Sequence, residues 1–349
     1  MPRWTLWLIV LGCLTLPLAA CGGDAEQNGS GSTSGRLARI ISRGKLVCGV
    51  SGELPGFSFV GQDGKYSGLD VDVCRAVAAA VFDDPNAVEF RNLNAKERFT
   101  AVQTGEVDLL SRNTTWTLSR DTSTGLDFAP VVFFDGQGIM VKQASGIKAL
   151  ADLKGKSICI QTGTTTEQNL TDQMQKRGIP YKPVVFEDVN TTFATYAEGR
   201  CDGVTADRSQ LISRRTAFPN PNEHVVLDEV LSKEPLAPAT ANGDSAWSDV
   251  VRWSVFTLFE AEELGITSKN LAQFQTSKDP AVRRFLGLEG DLGKGMGVSN
   301  DFTARIVKHV GNYAEIYDRN LGPQTRLNLP RGKNNLWTKG GLMVSPPFR

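Results

Sequence analysis

The segment Leu109–Thr122, LLSRNTTWTLSRDT, sets Arg112 and Arg120 in a run of hydroxyl and amide side chains around Trp116, directly after an apolar pair. A core rarely tolerates two guanidinium groups and an amide so close together, and a solvated loop has little use for a tryptophan. Such a set can recognise a small ligand. Arg120 offers a planar fork of donors that matches a carboxylate, while Asn113 and Thr115 offer a carbonyl and a hydroxyl that accept from an ammonium group. Two other stretches complement it. TGTTTE places Thr164, Thr165 and Thr166 where a helix should start, and the unpaired amides and positive dipole end of a helix start favour an anion. GVTAD ends in Asp207, a carboxylate suited to an ammonium. A zwitterion such as an α-amino acid would match the whole set. Each residue also has a plainer reading: Arg120 paired with Asp121 at the surface, Asp207 as the N-cap of RSQLISRR, Trp116 as core, and the three threonines as an ordinary cap.

These residues need a frame, and the chain shows one twice. FTAVQTGEVD (Phe99–Asp108) and FATYAEGRCD (Phe193–Asp202) share Phe at the first position, Gly at the seventh and Asp at the tenth. An amphipathic helix that ends at a glycine and turns into a buried strand explains the pattern. Upstream, GKLVCGVS and GKSICIQTG each put Gly-Lys ahead of an apolar run, the mark of a buried strand entering a loop. GLDVDVCRAVAAAVF, with Asp70 and Asp72 near its start, reads as a helix. Each half therefore reads strand, helix, strand, helix, strand, which predicts two α/β lobes with parallel-rich sheets. In such sheets ligands bind at the carboxyl ends of the strands, where the segments around Ser111–Arg120, Thr162–Glu167 and Asp207 all fall.

The ends and the composition narrow the partners. Trp4–Ala20 is apolar and uncharged, too short for a confident span but suited to a signal peptide, and LAACG resembles a lipobox whose Cys21 would take the lipid. GGDAEQNGSGSTSG then holds nothing that can be buried and reads as a flexible tether. With 38 basic and 38 acidic residues the formal net charge is zero, and no basic run suits nucleic acid. Outside the signal segment Cys48, Cys74, Cys159 and Cys201 remain, an even set that suggests disulfides in an exported chain and permits three pairings. The only histidines are His224 and His309, so a zinc site is not expected, nor any other metal or cofactor.

From about Leu37 onward the chain closely resembles the general (polar) amino-acid-binding proteins of ABC importers, solute-binding protein family 3. The resemblance is carried by CGVSGELPGFS, VDLLSRNTTWTLSRDT, CIQTGTTTEQNL, GRCDGVTAD, SKEPLAPAT, WSDVVRWSVFTLFEAEELGIT and the closing GNYAEIYDRNLGP…LPRGKNNLWTKGGLMVSPPFR. It implies an α/β fold of the periplasmic binding protein type II, two lobes joined by a two-strand hinge near QGIMV and EPLAPA. The N-terminal residues themselves give the signal peptide at 1–20 and the lipidated Cys21 and tether at 21–36, a departure from the commonest pattern of such receptors, and the resemblance places lobe 1 at 37–137 and 239–349 and lobe 2 at 138–238. By the same resemblance Arg120 takes the ligand carboxylate with the Thr165 amide, Thr164 lies beside it, and Asp207 takes the ammonium with Asn113 and Thr115. Trp116 becomes a wall or apolar support, and SGELPGFS reaches the distal pocket through Glu53, Leu54 or Phe57. The cysteines pair as Cys48–Cys74 and Cys159–Cys201. The implied protein is no enzyme but a monomeric periplasmic receptor that binds an L-amino acid, delivers it to an ABC permease and touches the membrane only through its lipid. The alternatives are an enzyme on the same scaffold, such as a cyclic-acid dehydratase with Glu53 and Asp207 as paired carboxylates or a lytic transglycosylase, and a sensory module for a separate kinase.

Overall fold

The computed structural model describes Met1 and residues 35–349, so the signal segment, Cys21 and all but the end of the tether lie outside the described residues. The first helix, Gly35–Arg43, begins two residues inside the expected tether and buries Leu37 and Ile40. Those two side chains give residues 35–43 an apolar stripe that the preceding Gly/Ser stretch lacks.

One sheet has the spatial order Val88–Asn92, Leu46–Val50, Leu109–Leu110, Ala239–Ala241, Leu126–Phe128. Its first three strands are parallel, and Ala239–Ala241 returns antiparallel. The other sheet runs Lys182–Phe186, Ser157–Gln161, Gly203–Asp207, Phe133–Lys142, His224–Val226, again with three parallel strands followed by antiparallel ones. In both lobes the first parallel strand lies between the second and the third. All five residues of Leu46–Val50 and of Gly203–Asp207 are buried, as strands covered on both faces by helices must be. The duplicated frame holds: Phe99 and Phe193 lie on the helices Arg98–Gln103 and Val189–Ala197, and Gly105 and Gly199 follow with φ of 78° and 80°. Those left-handed values suit glycine at the end of a helix.

The strand Phe133–Lys142 serves two partners. Its first four residues pair with Lys233–Leu236, Glu234 opposite Asp135 and Leu236 opposite Phe133, and its remainder belongs to the second sheet. From Leu236 the chain passes through Pro238 into Ala239–Ala241 of the first sheet. The two strands that cross between the lobes are thus Phe133–Gly136 and Lys233–Leu236. The first crossing lies upstream of QGIMV, which is already part of the second sheet.

The first lobe packs the helix Leu69–Phe82 against Ser245–Glu263 and Phe302–Val310, with Trp247, Phe259, Phe285, Tyr313 and Tyr317 buried among them. The C-terminal segment wraps this lobe: Phe348 packs edge-on to Trp253 and Phe285, with ring centroids 5.0 and 5.2 Å away. Asn334 also reaches the hinge, where its Oδ1 accepts from the Phe134 amide at 2.6 Å and its Nδ2 donates to the Phe134 carbonyl at 3.3 Å. Each lobe carries one disulfide, Cys48–Cys74 and Cys159–Cys201, with Cα separations of 6.3 and 5.7 Å, the pairing the resemblance implied. Among the described residues no helix is long and apolar enough to cross a membrane.

Candidate functional site

The parallel strands of both lobes aim their carboxyl ends at one cleft. Ser51 follows Leu46–Val50, the Ser111–Thr115 loop follows Leu109–Leu110, Thr162 follows Ser157–Gln161, and Asp207 ends its own strand. In each sheet the strand order reverses beside the first strand, so chain crossovers leave on opposite sides and open a crevice there. The cavity between the lobes is lined by Asn113, Thr115, Thr164, Thr165 and Asp207, all expected from sequence, and by Arg98, which was not. The lobes are closed on it: Thr115 and Thr165 hydroxyls lie 3.4 Å apart, and the Ser213 hydroxyl donates to the Pro55 carbonyl at 2.8 Å.

Asp207 occupies the N-cap position of Arg208–Arg215 but makes no capping hydrogen bond. Its carboxylate accepts instead from the Asn113 side chain, and burial beside Asp135 and Glu234 holds its pKa well above the ordinary carboxylate range. Asn113 has φ of 24°, a left-handed conformation that Asn tolerates, and its amide donates to the Asp70 carboxylate at 3.0 Å. Burial pushes Asp70 up to about 6. With the Asn113 amide group turned to Asp207, its Oδ1 is buried without a partner. That acceptor and Asp207 together form a site for a donor of several hydrogen bonds, as an ammonium is.

Arg120 is buried, donates from Nη1 to the Thr115 carbonyl at 2.8 Å, and lies 5.0 Å over the Phe99 ring. Asp121 does not pair with it; the Asp121 carboxylate accepts from Trp116 Nε1 at 3.0 Å. Arg98, only 3% exposed, lies 4.7 Å from the centroid of the same ring. It donates to Thr114 Oγ1 at 3.3 Å and across the cleft to the Gly163 carbonyl at 3.5 Å, while its Nε is buried without a partner. Burial, with Arg112 and Arg120 nearby, drives the Arg98 pKa well down, and the charge of Asp207 offsets this only in part. On the facing lobe Thr164 caps the helix Thr165–Lys176, accepting from the Glu167 amide at 3.2 Å. The ordinary cap and the anion-favouring helix start are therefore one feature.

Sequence reasoning also missed Glu234. It is 1% exposed on the hinge strand and accepts from Thr165 Oγ1 and Asn169 Nδ2, both at 2.8 Å, and from the hydroxyls of Thr115 and Ser232. One carboxylate thereby joins the two lobes through the threonines expected to hold ligand. Arg98 carried a weak signal, a cation next to the Phe of the repeated frame; Glu234, between Lys233 and Pro235, carried none.

Two expectations are corrected. Trp116 does not wall the cleft: it is 40% exposed, stacked on Phe128 at 5.6 Å, on a surface it shares with Asp127 and Arg252. Its large ring finds an apolar partner at the edge of the sheet and a hydrogen bond to Asp121, which satisfies both halves of the side chain there. Glu53 borders an adjoining space with Asn92, Glu97 and Asp188 rather than the cavity lined by Asp207. Among the described residues no group of His, Cys, Asp and Glu could hold a metal ion.

The profile of bacterial extracellular solute-binding proteins, family 3, matches residues 46–323. The chain belongs to this family. It is 47% identical over 334 residues to the general L-amino acid-binding periplasmic protein AapJ of Rhizobium johnstonii, covering 95% of this chain and 98% of the relative. Identity is also 47% over 319 residues to the glutamate/glutamine/aspartate/asparagine-binding protein BztA of Rhodobacter capsulatus, 91% of this chain and 94% of that one. A solved periplasmic binding protein from Brucella ovis with glutathione bound superposes with a TM-score of 0.88 at 48% identity, covering 90% of this chain and 99% of the other. Family members are solute-binding proteins, and the two-lobed α/β architecture is the periplasmic binding protein fold that the sequence implied.

Proposed function

We propose that this family 3 solute-binding protein is a periplasmic receptor that captures polar L-amino acids between its lobes and hands them to an ABC importer. The observation that carries the reading is the set of charges at the cleft: Asp207 and the unpartnered Asn113 Oδ1 as acceptors, and Arg98 in the cavity wall, Arg120 over the same Phe99 ring and the helix start at Thr165 as donors. The first pair accepts from an ammonium and the second set donates to a carboxylate. The names of relatives that bind amino acids support it. In this reading lobe 1 comprises 37–137 and 239–349 and lobe 2 comprises 138–238, and closure shuts the ligand away from water. The receptor works as a monomer, held at the membrane by a lipid on Cys21 after removal of residues 1–20. Mass spectrometry of the cell-derived chain tests the anchor: a diacylglycerol adduct at an N-terminal Cys21 is expected, and an unmodified mature terminus would refute it. Calorimetric titration of the chain, unfolded and refolded to remove carried ligand, tests the binding; micromolar or tighter affinity for several polar L-amino acids is expected.

A further inference from the structure

The Phe of the repeated frame carries an arginine in both lobes. Phe99 bears Arg98 and Arg120, and in lobe 2 the guanidinium carbon of Arg214 lies 5.4 Å over Phe193. The lobe 1 pair serves the α-carboxylate in the reading above, whereas nothing there uses Arg214. Arg214 lines the cavity, donates from Nη1 to Asn190 Oδ1 at 2.6 Å, and keeps its Nε buried without a partner. Arg112 lines the same cavity from lobe 1. It is 6% exposed, and among the described residues a single hydrogen bond holds its guanidinium, Nε to the Leu93 carbonyl at 2.8 Å.

Both arginines line this one cavity from opposite lobes, both feel the charge of Glu53, and among the described residues neither forms an ion pair with it. The other charges around them are Asp70, Glu97 and Arg120 for Arg112, and Asp188 for Arg214. The charged side chains that line the cavity are Arg98, Arg112 and Arg214 against Asp207 alone. A ligand with one carboxylate and one ammonium would be matched at Arg98, Arg120 and Asp207 and would leave the buried Arg112 and the half-buried Arg214 guanidinium groups to its side chain. Desolvated cations without an anion are costly, and a second carboxylate would relieve that cost. Gln161, Thr192 and Gln210 on the cavity wall could still hydrogen-bond a neutral amide, which admits other polar side chains more weakly.

We infer that Arg112 and Arg214, one from each lobe, form a second anion site that clamps a distal carboxylate of the ligand when the cleft closes, so amino acids with two carboxylates are the favoured substrates. The inference rests on the amino-acid receptor reading and adds its side-chain preference. L-glutamate and L-glutamine are nearly isosteric and differ by one charge, so the ratio of their dissociation constants for the full refolded chain at pH 7.5 reads the site directly. The expected ratio favours glutamate by at least about tenfold, and Arg214→Met should bring the two within about threefold by weakening glutamate. Arg214→Lys and Arg112→Lys keep the charge but lose the fork and should give intermediate ratios; they also serve if the Met variant does not fold, as judged by its melting transition. Equal wild-type affinities, or a ratio that Arg214→Met leaves unchanged, would overturn the second anion site while the receptor reading stands. Silence toward both ligands and toward every other amino acid would overturn the receptor reading and this inference with it.

Discussion

The two lobes share a strand order, a Phe-Gly-Asp frame and one disulfide each, yet they are built to different weights. Lobe 1 buries Trp247, Phe259, Phe285, Tyr313 and Tyr317 among the helices Leu69–Phe82, Ser245–Glu263 and Phe302–Val310 and the C-terminal segment. Lobe 2 has two smaller clusters, one of aliphatic residues around Ile158, Ile160 and Leu170 and one around Met140, Phe193 and Tyr196. The shared part is what brings binding groups to the strand ends; the unshared part is ballast and bracing. Asn334 shows the difference at the hinge, since it holds both backbone groups of Phe134 from the lobe 1 side. The comparison teaches that lobe 1 carries the heavier core and the brace on the hinge, and lobe 2 the lighter core.

The largest effects should come from removing the charge that each lobe contributes to the ligand. Arg120→Ala in lobe 1 and Asp207→Asn in lobe 2 should each weaken binding of every amino acid by roughly 2–5 kcal/mol, because each leaves a ligand charge without its partner in a desolvated cleft. Calorimetry over several side-chain classes checks this, and a loss confined to one class would contradict the shared site. Next come the disulfides. Closing loops with sequence separations of 26 and 42 residues, each should stabilise its lobe by about 3–4 kcal/mol. Replacing Cys159 and Cys201 by Ala should lower the thermal midpoint further than replacing Cys48 and Cys74, since lobe 2 has less core to fall back on; a reversed order would break the comparison.

Asn334→Ala should cost about 1 kcal/mol by leaving partly buried backbone groups of Phe134 unpaired, with faster amide exchange at Phe134 as the local signature. Unchanged exchange there would separate the C-terminal segment from the hinge. The smallest effect is a pH dependence. Burial beside Glu234 pushes Asp135, which accepts from Ser209, up to about 6, above its unfolded value of 3.8. The folded state thus holds the proton more tightly, so the contribution to stability is fully present below pH 3.8 and is lost as pH rises through 6. Asp135→Asn removes the titration and should therefore raise the melting temperature relative to wild type more at pH 7.5 than at pH 5; the same shift at both would contradict it.

Much of this organisation was legible before any coordinates. Alternation and glycine placement around Phe99 and Phe193 reported local geometry, and local geometry is what a linear pattern records. Asp207 was legible because a strand end followed by a helix is a position as well as a residue type. Glu234 was not, since its burial depends on hydroxyls and an amide from Thr115, Thr165, Asn169 and Ser232, which only the closed fold assembles. Arg98 opens a short helix and offered only its place next to Phe99, while Trp116 was drawn toward the ligand by its polar neighbours although its ring belongs with Phe128. In each case the missing information was which face of a loop, strand or helix turns inward.

The most direct test of the receptor account is calorimetric titration of the refolded, ligand-free chain with each of the twenty amino acids, repeated on Asp207→Asn. The account predicts one-to-one binding of several polar amino acids at micromolar affinity or tighter, lost across all of them in the variant. No binding by the wild-type chain, or full binding by the variant, would contradict it.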